Sequence, residues 1–288
     1  MPSHSREQRS VLLGPTERTQ RLAVLIPVYN DQAGLERSLA SLCDDGAAFG
    51  VVVVDDGSSV PLRLPEGLPF GIELVRLERN HGIVGALNAG LERIAAAGHY
   101  DYVARLDAGD LSLAGRMTAQ MGFLDRHPDH AVVGCWARLV DAHGRLLFHF
   151  RPPAAHRRIC RFMRYRSGLV HTSVMLRLAA LHEVGFYGER FAGAEDVELY
   201  LRLARHHKLA NLEHTYVIRE TTPNSITSRR QRVLRSRLRA LLHHFDGHSI
   251  HAYLGIASNL GFLLLPRAGV IRLRQLADRL GRPHALPR

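Results

Sequence analysis

Apolar residues run without a break from Leu22 to Val28 (LAVLIPV), and VVVVDD opens a second such run at Val51. Both are rich in branched side chains, as in a strand buried on both faces of a parallel sheet, where neither face calls for polar positions. Between them, Asp31 to Leu42 spaces its apolar residues at the helical period. GIELVRL from Gly71 predicts a third strand, GIVGALNAGLERIAAAG from Gly82 a helix, and YVARLD a fourth strand. This order of strand, helix, strand, strand, helix, strand predicts an α/β sheet.

Past Asp110 the pattern changes. A helix is predicted over Arg116 to Arg126, strands over AVVGCWARLVD, RLLFHF and LVHTSVMLR, a helix opening at GAEDVELYLRLARHH, and a strand over LANLEHTYVIRE. No Pro/Gly/Ser-rich linker divides this half from the first, so residues 21–228 are expected to form one domain. The first 20 residues are polar and charged and read as a loose tail. From Arg229, RRQRVLRSRLRALLHHF alternates arginines with Val233, Leu234, Leu238 and Leu241, a basic amphipathic helix, and AYLGIASNLGFLLLP follows. That apolar segment is shorter than the roughly 20 residues of a membrane span. Residues 229–288 are expected to be a helical extension, suited to an anionic membrane interface.

Composition fits a globular chain, with 46% hydrophobic and 23% charged residues. The net charge of +11 comes from 38 lysines and arginines, of which Lys208 is the only lysine, and it favours anionic partners. Nucleic acid is the disfavoured one, since no recognised binding motif accompanies the charge. Cys43, Cys135 and Cys160 form neither a disulfide framework nor a zinc motif, and the first 20 residues lack the apolar core of a secretory signal. A cytoplasmic setting is expected.

Three predicted strands end in polar residues: the first in PVYN, the second in DDGSS, the fourth in DAGD. Each alone is an ordinary turn. Together, on strands of one open sheet, they predict a ligand crevice outside the carboxyl ends. Asp107 and Asp110, separated by Ala108 and Gly109, suit a hard divalent cation, which joins a few carboxylates to substrate phosphates. Neither a Walker A loop nor a Gly-x-Gly-x-x-Gly turn follows the first strand, so metal is the expected holder of phosphate.

VLIPVYN, VVVVDDGSS, NHGIVGALNAG, RLDAGD and GAEDVELYLRLAR resemble, in order and spacing, the motifs of the family 2 glycosyltransferases, most closely the bacterial branch that builds surface polysaccharides. The resemblance covers about Arg21 to Thr227 and implies a GT-A fold: one Rossmann-like domain with a mixed central sheet flanked by helices. It implies a nucleotide-sugar donor, with Pro27 and Tyr29 lining the nucleoside pocket, Asp56 accepting from the base, and Gly82 and Asn88 bordering the donor. Asp107 would contact the donor and share a Mg²⁺ or Mn²⁺ ion with Asp110; Gly109 departs from the family, which usually has an acid there. Asp196 matches the general base of an inverting transfer, Glu195 and His171 are candidate contacts to acceptor or pyrophosphate, and the strand of Trp136 and Arg138 would border the acceptor. The acceptor implied is a glycan or lipid-linked saccharide, which would place the chain on the cytoplasmic face of the inner membrane. A nucleotidyltransferase and a non-catalytic nucleotide-sugar or glycan binder are the alternatives.

Overall fold

The computed structural model describes residues 20–220 and 230–264. The tail expected over the first residues lies outside this range but for Gln20. Every residue of β1 (Leu22–Val28) is buried, because the strand lies between two parallel neighbours, β2 (Gly50–Asp55) and β4 (Tyr102–Arg105). Strand β3 (Ile72–Arg76) adds to β2, also in parallel. Alternate residues of β1 feed two cores. Leu25 packs with Leu87 and Leu91 of helix α2 (Gly82–Ala97), while Ile26 packs with Leu35 and Leu39 of helix α1 (Gln32–Ala40) and Met117 of helix α3 (Arg116–Arg126).

Beyond β4 the sheet turns mixed. Strand β8 (Met175–Arg177) pairs antiparallel with β4, and β6 (His130–Val140) antiparallel with β8. Two reversals restore the original direction, so β6 and its parallel partner β9 (Lys208–Glu220) point the same way as β1, β2 and β4. Short β5 (Leu111–Ser112) caps β9, and β7 (Leu146–Phe150) forms a hairpin with β6. The consequence is positional: the carboxyl ends of six strands share one edge, which gathers Tyr29, Asp56, Asp107 and Glu220 there.

The structure differs from the sequence pattern in several places. LVHTSVMLR is not one strand: His171–Ser173 form a 3₁₀ turn and only Met175–Arg177 pairs in the sheet. Ser173 explains this, since its backbone N–H (2.8 Å) and its hydroxyl (2.9 Å) both donate to the Val170 carbonyl, a local bond that competes with the ladder. Helices α4 (His156–Met163) and α5 (Leu178–Val184) are absent from the predicted pattern. Helix α6 (Glu195–Leu203) falls where GAEDVELYLRLARHH predicts one.

The two C-terminal helices, α7 (Arg230–His243) and α8 (Ile250–Leu264), dock on the body. Leu241 joins the core beside α2 and α6, Arg237 is buried with Nη2 donating to the Met163 carbonyl at 2.5 Å, and the Ser236 hydroxyl donates to the Ala192 carbonyl at 2.8 Å. Helix α8 lies close because Gly255 has no side chain: a Cβ there would sit 2.7 Å from the Arg164 carbonyl oxygen. On the other face of α8, Ile250, Tyr253, Leu254 and Leu260 are exposed.

Gly57 carries the β2 end. Its φ of 70° is left-handed, and a Cβ would lie 2.7 Å from Arg79 Cα and Asn80 N, backbone that cannot swing aside. Gly67 has a similar φ of 76° but open surroundings. Urea unfolding should show Gly67→Ala losing about 1 kcal/mol from backbone strain alone. Gly57→Ala should lose clearly more; equal losses would refute the close-approach argument.

Candidate functional site

The loop from Asp107 to Asp110 is held from three sides. The Gly109 N–H lies between the Gly34 carbonyl (3.1 Å) and Ser38 Oγ (3.0 Å), and Ser38 donates in turn to the Asp110 carbonyl at 2.8 Å. The Asp107 N–H donates to Thr172 Oγ1 at 2.8 Å, and the Glu220 N–H to Asp110 Oδ1 at 3.1 Å. Gly109 has φ 91° with its nearest non-neighbouring atom 3.7 Å from a Cβ position. Backbone conformation, not lack of room, therefore accounts for the glycine here.

Beneath the loop lies Arg105, 1% exposed, whose Nη2 donates to Asp107 Oδ1 at 2.6 Å. Burial pushes Asp107 toward the neutral acid, yet the Arg105 charge, aided by His171 and Arg219, holds it below the usual carboxylate range. Asp110 has no such cation in contact. Burial first, then the negative Asp107, push it up to about 7. Its Oδ2 is buried with no hydrogen-bond partner among the described residues; the Thr172 hydroxyl is near enough to moderate the shift without closing a bond of ordinary length. Asp107 keeps 31% of its side chain exposed.

One standing carboxylate with an open face and one buried carboxylate with an orphaned oxygen fit a divalent cation shared with a ligand's phosphates. Among the described residues no cluster of three or more His, Cys, Asp or Glu could hold a metal unaided. A cation here would need oxygens from its ligand.

The next wall is His171, Tyr187 and Asp196. His171 Nε2 lies 2.9 Å from the Tyr187 hydroxyl, and burial, reinforced by Arg105, pushes the imidazole down to about 4, so it is neutral at pH 7. Both His171 and Tyr187 feel Asp107 and Asp196, which places them between the Asp107–Asp110 loop and the start of α6. Asn88 supports this wall: its Nδ2 donates to the Tyr187 carbonyl (2.9 Å) and its Oδ1 accepts the Tyr187 N–H (3.0 Å). The amide expected to border the donor thus grips the backbone of Tyr187.

Glu195 and Asp196 are adjacent but unlike. Glu195 is 6% exposed, its Oε2 accepts the Gly193 N–H at 2.5 Å, and burial beside Asp196 pushes it up to about 7. Asp196 is half-buried; Oδ1 accepts the Val197 N–H at 2.8 Å, and Oδ2 lies 3.5 Å from a Ser167 hydroxyl that bonds the Leu169 carbonyl at 2.6 Å. Of the two, Asp196 has the available oxygen.

At the other end of the edge, Tyr29 is 51% exposed, while Pro27 is buried within β1. Asn30, at φ 53°, receives its left-handed turn from two cross-loop bonds: its N–H to Ser58 Oγ and its Oδ1 from the Ser59 N–H, both 2.9 Å. Asp56 is buried, its Oδ1 accepting the His81 N–H at 2.7 Å just before α2, and burial raises its pKa. Asp55 is a structural residue, accepting from Ser58 N (2.9 Å) and Arg76 Nη1 (3.1 Å). Trp136 donates to the Pro152 carbonyl at 3.3 Å and lies under Arg151. Arg105 and Thr172 fall inside RLDAGD and LVHTSVMLR but were given no role there, and Tyr187 lies outside the quoted segments; Arg105 left the one clear signal, a lone charge inside an apolar strand run.

The mixed, helix-flanked sheet with acids along its carboxyl edge defines a GT-A architecture. Solved structures of that shape agree: S. aureus TarS in complex with UDP-GlcNAc superposes with a TM-score of 0.59 at 18% identity over 84% of this chain and 72% of that chain. The Pyrobaculum calidifontis mannosyltransferase PcManGT, in complex with GDP-Man and Mn²⁺, gives 0.58 at 15% identity over 94% and 84%. The sequence model described as Glycosyl transferase family 2 matches residues 23–184, more than half of the chain, and the chain belongs to that family. Among curated relatives, the amylovoran biosynthesis glycosyltransferase AmsE of Erwinia amylovora is 33% identical over 200 residues, 66% of this chain and 72% of AmsE. The putative glycosyltransferase EpsE of Bacillus subtilis is 26% identical over 190 residues, 63% of this chain and 66% of EpsE.

A carboxyl raised by burial costs stability as it ionises: the contribution is fully favourable below the unfolded pKa, near 3.8, and is lost as pH rises through about 7. In metal-free buffer, Asp110→Asn should therefore gain thermal stability relative to the parent as pH climbs from 5 to 8. A melting-temperature difference flat across that range would contradict the burial of an ionising Asp110.

Proposed function

We propose that this family 2 glycosyltransferase moves a sugar from a nucleotide-sugar donor to a hydroxyl of a glycan or lipid-linked acceptor, with divalent-cation dependence and inversion at the anomeric carbon. The carrying observation is the paired Asp107 and Asp110, one partly open and one with an orphaned oxygen, with His171 and Tyr187 between them and the available carboxylate of Asp196. TarS is solved in complex with UDP-GlcNAc and PcManGT with GDP-Man and Mn²⁺, which supports the same ligand classes here.

In this reading Tyr29 and Pro27 bound the nucleoside, Asp56 accepts from the base, and Asp107 and Asp110 hold Mg²⁺ or Mn²⁺. When bound, the cation neutralises charge developing on the leaving nucleoside diphosphate. Asn88 acts at one remove, fixing Tyr187. Asp196 takes the proton of the acceptor hydroxyl as that oxygen bonds to the anomeric carbon and the bond to the diphosphate breaks. A single displacement from the opposite face inverts the centre. Glu195, tied to the Gly193 turn, shapes the start of α6, and neutral His171 can present one N–H or one lone pair to the diphosphate or the acceptor. Family membership sets the nucleotidyltransferase alternative aside.

Asp196→Asn keeps the shape of the side chain without its basicity. Transfer should fall by about 10²–10⁴-fold, with Mn²⁺-dependent donor binding preserved in a thermal-shift screen of nucleotide sugars, where a ligand of the native state raises apparent stability. Glu195→Gln should lose far less. Near-parental turnover by Asp196→Asn would remove it as the base, and a screen with no nucleotide-sugar response would sink the donor reading.

The C-terminal pair supports a seat on the cytoplasmic face of an anionic membrane. Arg232, Arg235 and Arg239 of α7 are exposed, as is the apolar stripe of α8, and no helix among the described residues is long and apolar enough to cross a membrane. Apolar residues beside arginines suit the headgroup boundary. Because Leu241 is part of the core, the stripe is tested by substitution, not truncation. Ile250→Glu with Leu254→Glu should release the folded protein from phosphatidylglycerol vesicles, and salt should weaken binding of the parent; unchanged pelleting would count against a lipid-facing α8.

A further inference from the structure

A cavity of about 580 Å³ opens beside the metal loop, bounded by Gly109 of that loop, Arg37 of α1, Arg138 of β6, His149 of β7 and Glu220 at the end of β9. Its floor is the sheet itself. Register sets Arg138 opposite His149 on one side and Ile218 on the other, and Ile218 opposite Leu111, so Arg138 stands in the middle of a cross-strand row.

The charges around it are unevenly satisfied. Glu220 is paired with Arg37 at 3.2 Å. Asp141, also on the wall, is paired with Arg145 at 2.9 Å and accepts the His143 and Arg145 N–H groups. Both acids are therefore answered. The Arg138 side chain has no ion pair or hydrogen bond among the described residues, and its Nε is fully buried with no partner. A guanidinium N–H removed from water without an acceptor is costly, and the fork geometry of arginine matches an oxyanion taken side-on.

We propose that this cavity is a subsite for an oxyanion carried by the acceptor, a phosphate or a sugar carboxylate, seated on Arg138. The assignment rests on the glycosyltransferase reading and deepens it by naming a chemical feature of the acceptor. Position supports it: Gly109 belongs to the metal loop, and the Glu220 N–H that bonds Asp110 lies at the cavity wall, so the anion is held next to the reacting centre. Capacity supports it too, since the volume admits a sugar unit and the Leu111 and Ile218 side offers an apolar face.

The test is calorimetric titration of the full chain, in metal-free buffer, with glycerol 3-phosphate, with methyl glucuronide, and with neutral methyl glucoside. One anionic probe should bind saturably and the neutral sugar at least about tenfold more weakly; whichever anion binds identifies the phosphate or the carboxylate as the source. Arg138→Gln should lose about tenfold in affinity, with Arg138→Lys losing less because it keeps the charge but not the fork. Both variants should retain the parental thermal-shift response to nucleotide sugar and Mn²⁺. The proposal is overturned if neither anion binds, if the neutral sugar binds equally well, or if Arg138→Gln binds the anion like the parent. The probe comparison on the parent decides the matter even if the variants fail to fold. Donor binding by the parent is read in parallel, so a silent cavity in a chain that binds donor overturns the subsite alone.

Discussion

Arg105 is a cation with 1% exposure and one carboxylate partner, Asp107, at 2.6 Å. Breaking such a pair by removing one member leaves an uncompensated buried charge, so each residue constrains the other's place. Asp107 is thereby fixed as an anion at the end of β4. Asp110, three residues on, cannot ionise as easily beside it in the same buried loop. The loop therefore holds one standing negative charge and one conditional on a proton or a cation. That asymmetry would make any cation held here depend on further oxygens from its ligand, as the proposed reading requires.

The sheet delivers the remaining groups to that loop. Had β8 joined β4 without the second reversal into β6, the end of β9 would lie at the opposite edge, and the Glu220 N–H could not reach Asp110. Instead the mixed half copies the direction of the parallel half, and the loop is buttressed by α1 through Ser38, by the 3₁₀ turn through Thr172, and by β9 through Glu220. The short turn at His171–Ser173 also sets His171 against Tyr187.

Residues buried on both faces, as in β1 and β2, announce themselves in the sequence because nothing polar interrupts them. The acids at their ends were legible for the same reason, as polar residues following an apolar run. Helices α4 and α5 were not, being 8 and 7 residues long and stabilised by tertiary packing rather than by a sustained period. The break in LVHTSVMLR was hidden because Ser173 makes its competing bond to Val170 locally, without interrupting the apolar pattern. Tyr187 could not be read as a site residue, since it is placed by Asn88 from 99 positions away. Asn88 was singled out within NHGIVGALNAG, but its grip on the Tyr187 backbone was not legible.

Helix α6 links these levels. Glu198, two residues past Asp196, is 3% exposed and bonds Arg202 at 2.8 Å and His244 Nε2 at 3.1 Å. Arg202 continues to the carbonyls of Gly185 and Phe186, both at 2.7 Å, on the segment that leads into Tyr187. Arg164 Nη1 reaches the His244 carbonyl at 3.1 Å, and the Arg164 carbonyl accepts from Asn259 of α8 at 3.2 Å. A continuous set of largely part-buried polar contacts thus runs from the apolar helix α8 to the turn of α6 that carries Asp196. The C-terminal helices are therefore part of what positions the proposed base. A surface seated on α8 would be coupled to the turn that carries Asp196 through these contacts.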